Sequence, residues 1–148
     1  MDAETLAFTV EDHEYLRHGA RALRLRLFRP SGEGPFAAVI NLHGGAWTKG
    51  DLDECRRRDE AIASAGIASA AIDFRQADDG YPSSLADINF AVRWLKTHAG
   101  SLGLDAARFG LAGQSSGGHL AMLTAMRPHD RRYAAIELAG STADATVQ

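Results

Sequence analysis

One stretch decides how this chain folds: residues 109–120 read Phe-Gly-Leu-Ala-Gly-Gln-Ser-Ser-Gly-Gly-His-Leu. It begins with a short apolar run, Phe109–Ala112, which is typical of a strand buried on both faces of a sheet. It then passes through a Gly-x-Ser-x-Gly pattern and continues into a helical pattern over Ser116–Met126. The stretch therefore predicts a strand, a sharp turn at Ser115 and a helix, in that order.

The sharp turn is the feature that makes Ser115 a candidate nucleophile. A strand that turns directly into a helix holds the serine in a strained conformation with its hydroxyl exposed, and Gly113 and Gly117 leave room for the bend. The N-terminus of the following helix favours negative charge beside the hydroxyl. The pattern predicts that Ser115 is a nucleophile; the alternative is a small-residue turn that only packs tightly.

Strand and helix patterns alternate along the rest of the chain. Apolar or alternating runs predict strands at 24–29, 37–42, 67–74, 109–112 and 134–138, and helical spacing predicts helices at 52–65, 84–98 and 116–126. Ser84 and Asp87 predict a capping box for the middle helix, and Gly100 predicts its end. The strands before Gly32 have no helix between them, so we expect them to pair antiparallel at one edge. The remainder predicts a parallel sheet with helices on both faces.

A second motif, His43-Gly44-Gly45-Ala46-Trp47, follows the predicted strand at 37–42. Attack on a carbonyl group creates an oxyanion that backbone N–H donors must stabilise, and glycine lets the backbone approach closely. We expect these donors to be the N–H groups of Gly44, Gly45 or Ala46, together with that of Ser116. His43 is predicted to stabilise the loop by hydrogen bonding. The alternative is an ordinary glycine turn capped by a core tryptophan, Trp47.

Together these motifs resemble those of the hormone-sensitive-lipase-like carboxylesterases, within the α/β-hydrolase fold. The resemblance runs from about Leu25 to the C-terminus and includes the segments 43–47, 73–75, 81–83, 94–95 and 113–121. It implies a three-layer α/β/α sandwich with a mostly parallel sheet, incomplete at its C-terminal side. It also implies an oxyanion hole in the His-Gly-Gly loop and an acyl-enzyme on Ser115. Ala46 and the stretch 76–79 depart from the family pattern, toward feruloyl-esterase-like and arylformamidase-like enzymes.

A serine nucleophile needs a base, and in this fold the acid and the histidine follow the serine in chain order. His119 is predicted to lie on a helix surface and His129 in a surface loop, while His13, His18 and His98 are expected to be solvated. Asp144 could be the acid, although no histidine follows it; Asp73 and Asp87 are interpreted as a strand-end residue and a helix cap. We therefore expect residues 1–148 to be the N-terminal part of a single α/β-hydrolase domain, with the acid and histidine on a missing segment or second chain.

Composition narrows the function further. The net charge is −3, and the only basic run, Arg56–Arg58, is interpreted as a solvated helix face, so no nucleic-acid partner is expected. No apolar stretch is long enough to span a membrane, and Met1–Glu4 lacks a signal-peptide pattern, which favours a cytoplasmic protein. The lone Cys55 is interpreted as structural. No metal and no organic cofactor is implied.

The residues leave the substrate bond open. The first hypothesis is hydrolysis of a small-molecule carboxylic ester. The second keeps the mechanism but cleaves an amide, formamide, carbamate or peptide. The third is an inactive fragment with a binding role, in which replacing Ser115 would change nothing.

Overall fold

A mixed five-stranded sheet forms the centre of the computed structural model, which describes residues 5–148. The strands are β1 (Phe8–His18), β2 (Arg21–Pro30), β3 (Phe36–Leu42), β4 (Ala68–Ile72) and β5 (Leu104–Gly113), and their order across the sheet is β1-β2-β4-β3-β5. Strand β3 pairs parallel with both β4 and β5. Met1–Glu4, on which the signal-peptide argument depended, lie outside the described residues.

The antiparallel pairing expected at one edge is confirmed. β1 and β2 form a hairpin, and β2 then pairs antiparallel with β4. Because the hairpin needs no crossover helix, it adds two strands to the sheet before the alternation of strands and helices begins. The parallel part of the sheet therefore starts at β3.

Two α-helices connect the parallel strands: α1 (Arg56–Ser64) lies between β3 and β4, and α2 (Ser83–Leu102) lies between β4 and β5. A third helix, α3 (Ser116–Met126), follows β5. Short 3₁₀ turns at Leu52–Cys55 and Ala77–Asp79 precede α1 and α2. Strand β4 shows how the helices are distributed, because its alternate side chains face opposite ways. Ala68, Ala70 and Ile72 join the large core cluster with α2 and α3, whereas Ala71 packs with Leu52 and Cys55 ahead of α1. Helices thus cover both faces, as the alternating pattern predicted.

The α1 face contains a buried polar cluster around Asp59. Its Oδ1 atom accepts hydrogen bonds from Asn41 Nδ2 at 2.8 Å and Ser69 Oγ at 2.7 Å. Asp59 Oδ2 and Asn41 Oδ1 are both buried acceptors that no described residue donates to. Burial raises the pKa of the Asp59 carboxyl above its ordinary value, and a proton there would add the donor that this side-chain pair lacks.

This cluster predicts an unusual pH dependence of stability. Since the Asp59 pKa is higher in the folded than in the unfolded chain, the folded chain binds more protons between those two values, and stability falls as the pH rises through that window. Asp59→Asn, which supplies a permanent amide donor, is expected to remove that fall. Urea unfolding at a series of pH values above 4 would give the free energy of unfolding as a function of pH for both proteins. If that free energy falls equally with pH in the wild-type chain and in Asp59→Asn, the prediction is wrong.

Three expectations about local structure were wrong. Residues 134–138 form no strand, because Ile136 O instead accepts a hydrogen bond from Arg93 Nη2 at 2.8 Å, which holds the segment against α2. Ser84 and Asp87 form no capping box: Ser84 Oγ donates to Arg75 O, and Asp87 is buried in an ion pair. The helix passes Gly100 and ends at Leu102, where Gly103 takes the left-handed conformation with φ of 71°.

Other features bear on the interpretations made from composition. No helix within residues 5–148 has the length and apolar character needed to cross a membrane. The same residues contain no group of three acidic, histidine or cysteine side chains placed to hold a metal ion. Cys55 is buried, and burial raises the pKa of its thiol to about 11, which keeps it protonated and unreactive at neutral pH.

Candidate active site

Ser115 occupies the turn between β5 and α3, in a conformation that L-amino acids rarely adopt. Its φ is 54° and its ψ is −124°, and α3 begins at the next residue. The side chain is exposed at the end of the sheet where the parallel strands terminate. A non-glycine residue in this region stores strain of about 1–3 kcal/mol, which the surrounding structure must offset. The strained turn predicted for Ser115 is present.

The glycines on either side make this turn possible. A Cβ atom at Gly113 would lie 2.2 Å from Gly117 O, and one at Gly117 would lie 2.4 Å from the carbonyl oxygens of both Leu42 and His43. Real Cβ atoms do not approach backbone oxygens so closely. Gly117 is therefore where α3 packs directly against the end of β3, and this contact fixes the height of Ser115 above the sheet.

We expect Gly117→Ala to displace the turn. The added methyl group would force apart α3 and the end of β3, and overpacking of this kind costs about 1–3 kcal/mol. Gly100→Ala is the matched control, because a Cβ there meets nothing within 4 Å and alanine favours a helix. Thermal unfolding should show a lower midpoint for the Gly117 variant and an unchanged or higher one for the control. Equal midpoints would contradict this account of the turn.

The His43–Trp47 loop lies directly beside Ser115. A Cβ at Gly44 would be 3.3 Å from Ser115 Cβ and 3.1 Å from Gln114 O, so the loop and the turn are in contact through backbone. The pairing of β3 with β5 explains this, because Leu42 and Gly113 are partners and the two strands end together. The structure thus brings together both motifs that the sequence singled out.

Left-handed residues shape the loop. Gly45, Ala46 and Trp47 have φ values of 120°, 52° and 65°, and a Cβ at Gly45 would fall 1.9 Å from Lys49 O. Hydrogen bonds hold this shape: Gly45 O accepts from the N–H groups of Thr48 and Lys49. Two strained non-glycine residues in succession indicate a loop whose N–H directions are set by the fold rather than by local preference.

His43 lies under the loop rather than at its surface. Its ring is buried, stacks on Phe74 with the centroids 4.4 Å apart, and donates from Nδ1 to Gly44 O at 2.7 Å. The hydrogen bond to the loop expected for His43 is present. The Phe74 partner could not be found from the sequence, since nothing in the motif points to the end of β4.

Trp47 makes a contact across the site that sequence reasoning did not anticipate. Its indole Nε1–H donates to His119 Nδ1 at 3.3 Å, and the two rings meet edge to face. On the other side, Trp47 O accepts from Ala77 N at 2.8 Å. His119, exposed on the first turn of α3, therefore joins the helix that follows Ser115 to the His43–Trp47 loop.

No histidine side chain among residues 5–148 forms a hydrogen bond with Ser115, and His119 Nδ1 already accepts from Trp47. The other histidines have different surroundings: His18 pairs with Asp87 at 2.9 Å, His98 stacks on Trp94, and His13 lies near Glu11. These three were expected to be solvated, and that was wrong, because each is half-buried against another side chain. His129 is exposed in the turn after α3, as expected.

The other two acidic residues considered, Asp73 and Asp144, have partners other than Ser115. Asp144 pairs with Lys96 at 3.1 Å and accepts hydrogen bonds from Thr146, which lower the pKa of its carboxyl. Thr146 lies beside Ala106 and Ala107, toward the end of β5 remote from the serine. Asp73, just past β4, accepts from Leu52 N at 3.0 Å, which fits the strand-end role expected for it.

The sheet order and the strained serine turn between β5 and α3 define an α/β-hydrolase fold. The BD-FAE family profile matches residues 25–147, and the chain belongs to that family. It is 34% identical over 121 residues to an ethyl acetate hydrolase of Pseudomonas putida, a match that covers 78% of this chain and 38% of that protein.

Solved structures show the same likeness. Esterase 2 of the planctomycete Thermogutta terrifontis with propionate bound superposes with a TM-score of 0.79 at 27% identity, covering 93% of this chain and 52% of that one. The same esterase phosphorylated by paraoxon gives a TM-score of 0.72 at 29% identity, covering 78% and 47% of the two chains. The chain thus spans about half the length of these relatives or less.

Proposed function

We propose that this chain supplies the nucleophile and oxyanion hole of a hydrolase acting on small-molecule carboxylic esters. The observation that carries the proposal is the contact between the strained Ser115 turn and the Gly44 backbone. It places an exposed hydroxyl beside a loop whose shape the fold enforces. The names of the relatives, an ethyl acetate hydrolase and an esterase with bound propionate, support short-chain esters as the substrate class.

In the proposed reaction, Ser115 Oγ attacks the acyl carbon and forms a tetrahedral intermediate. The N–H of Ser116 is free for its oxyanion, since the first residue of a helix has no intrahelical acceptor. The N–H groups of Gly44, Gly45 or Ala46 are the donors on the facing loop. Each such donor is worth about 2.7–4 kcal/mol of barrier, and the positive end of the α3 dipole adds to them.

The acid and base of this reaction are proposed to come from a C-terminal part of the same fold, either a further segment or a second chain. No histidine side chain within residues 5–148 is hydrogen-bonded to Ser115, which supports this division. The base would take the Ser115 proton, pass it to the alcohol leaving group and then activate the water that releases the acid.

Labelling by paraoxon tests the nucleophile directly. Phosphorylation of Ser115 releases 4-nitrophenol and adds a diethyl phosphate group, which mass spectrometry locates on the peptide containing residues 109–127. Paraoxon should be added to the purified chain together with any polypeptide that co-purifies with it. Ser116, whose side chain is buried with 5% exposure, should remain without a phosphate adduct. Phenyl acetate and acetanilide then separate ester from amide hydrolysis. Absence of any Ser115 adduct in material that contains the C-terminal part would refute the proposal.

A further inference from the structure

A pocket of 340 Å³ opens between the oxyanion loop and the start of α2. Its walls are formed mainly by Trp47, Ala77, Tyr81, Pro82, Leu85 and Leu120. Two of these residues belong to the elements that build the candidate active site. Trp47 is the last residue of the His43–Trp47 loop, and Leu120 lies on α3 beyond Ser115. The pocket therefore adjoins the site where the acyl carbon would be attacked.

The polar atoms around this pocket already have partners within the protein. Ser84, which also lines it, donates its hydroxyl to Arg75 O, and the hydroxyl groups of Tyr81 and Tyr133 are hydrogen-bonded at 2.8 Å. No lining side chain carries a charge. A group entering the pocket meets hydrocarbon and aromatic surface, so the pocket selects against charged and strongly hydrated groups.

The two large aromatic walls are held in place from outside the pocket. His119 accepts the hydrogen bond from Trp47, and the guanidinium of Arg132 lies 5.7 Å from the centre of the Tyr81 ring. Both walls nevertheless keep much of their surface in water, since Trp47 is 47% and Tyr81 67% exposed. Fixed, exposed aromatic surface facing a cavity is characteristic of a preformed binding site for an apolar group.

We propose that this pocket binds the apolar alkyl or aryl substituent of the ester and that Trp47 is its specificity-determining wall. This inference rests on the proposed function and names its substrate class more closely. The volume is sufficient, because a cavity of about 150 Å³ is enough to hold benzene. The binding free energy comes from burying the apolar surfaces of Trp47, Tyr81 and Leu120, because removing apolar surface from water is favourable. Esters with a bulky apolar group on one side are the preferred substrates.

Fluorescence of Trp47 reports on the pocket without any catalysis. The chain has two tryptophans, and Trp94, which does not line the pocket, can be replaced in Trp94→Phe. Titration with benzyl alcohol should shift Trp47 emission to shorter wavelength in a saturable way, whereas glycerol should not. Should Trp94→Phe fail to fold, the same shift is measurable in the wild-type chain above a constant Trp94 background.

A blocking variant locates the binding. Ala77 is exposed at the pocket wall, so Ala77→Phe places a ring in the cavity without disturbing the core, and Asp78→Phe adds the same ring just outside. We expect Ala77→Phe to weaken benzyl alcohol binding at least tenfold (about 1.4 kcal/mol), and Asp78→Phe to leave it unchanged. No shift with benzyl alcohol, or an equal effect of both variants, would overturn the inference.

The catalytic measurement separates this inference from the proposed function. Benzyl acetate and ethyl phenylacetate carry the ring on the alcohol and the acyl side. Ala77→Phe should raise KM for whichever of them uses the pocket by more than it raises KM for ethyl acetate, and Asp78→Phe should leave this ratio unchanged. Ser115 labelling without a Trp47 response would leave the hydrolase proposal standing and remove this one. A Trp47 response without Ser115 labelling, in material that contains the C-terminal part, would show an apolar binding pocket but would refute the hydrolase proposal and with it the assignment of the pocket to an ester substituent.

Discussion

Ser115→Ala is expected to lower kcat for ester hydrolysis by about 10⁵–10⁶-fold in material that contains the C-terminal part, because the proposed mechanism forms the acyl-enzyme on Ser115. The loss should appear in kcat rather than KM, since the hydroxyl contributes little to holding the ground-state ester. Paraoxon labelling should disappear with it. Ser116→Ala is the neighbouring control: its side chain is buried and its backbone N–H is retained, so activity should stay within about tenfold of wild type.

Ser115→Gly separates the cost of the turn from the chemistry. Glycine adopts a φ of 54° without strain, so it should recover part of the roughly 1–3 kcal/mol stored there, less about 0.5–1 kcal/mol for its greater freedom in the unfolded chain. Ser115→Ala keeps the strain and should not gain stability. Both variants lose activity equally, and only the glycine variant should unfold at a higher urea concentration. Equal stabilities would mean that the turn at Ser115 stores no strain.

The parts of the fold that the sequence predicted correctly are those in which local pattern and burial agree. The run at 37–42 is largely buried because helices cover both sides of the sheet, and only a strand can use such a run there. Within 109–112 only Phe109 is fully buried, because β5 is the edge strand of the described sheet. The helix at 116–126 was predicted with the same bounds that the structure shows, since a strand that must end at a turn fixes where the next helix starts.

Predictions failed where a residue's partner is distant in the chain. The run at 134–138 is apolar enough for a strand, but Arg93 reaches its backbone from α2 and Tyr133 is buried just ahead of it. Likewise, the left-handed backbone of Ala46 and Trp47 has a partner distant in the chain, since Ala77 N donates to Trp47 O. Neither residue type favours that conformation, so the local sequence contains no sign of it.

Asp87 is the clearest case of a residue whose role lies in distant contacts, and its replacement should have the largest effect on stability. Its carboxylate is completely buried, accepts hydrogen bonds from the backbone N–H and guanidinium of Arg75 at 2.8–3.2 Å, and pairs with His18 at 2.9 Å. Removing one partner of a buried ion pair costs about 3–5 kcal/mol, because the remaining charge loses its compensation. Asp87→Ala is therefore expected to lower the free energy of unfolding by that amount.

Glu60→Ala provides the matched control, because Glu60 also pairs with an arginine, Arg56, at 2.9 Å, but on the exposed surface of α1. Exposed pairs contribute about 0–1 kcal/mol, so this variant should unfold close to wild type. Urea denaturation of both variants measures the difference. Comparable losses of unfolding free energy in the two variants would indicate that the buried Asp87 pair stabilises the fold no more than the exposed Glu60 pair does.

The effect of Asp87 should extend to the candidate active site, because Arg75 leads into the segment that supports the oxyanion loop. Gln76 Nε2 donates to Gly50 O at 3.0 Å, and Ala77 N donates to Trp47 O at 2.8 Å. Without Asp87 to hold Arg75, these two bonds lose their fixed donors, and the strained residues Ala46 and Trp47 can relax. Under conditions where the Asp87 variant is still folded, Ser115 should react with paraoxon more slowly than in Glu60→Ala. An unchanged labelling rate would show that the loop keeps its shape by its own contacts alone.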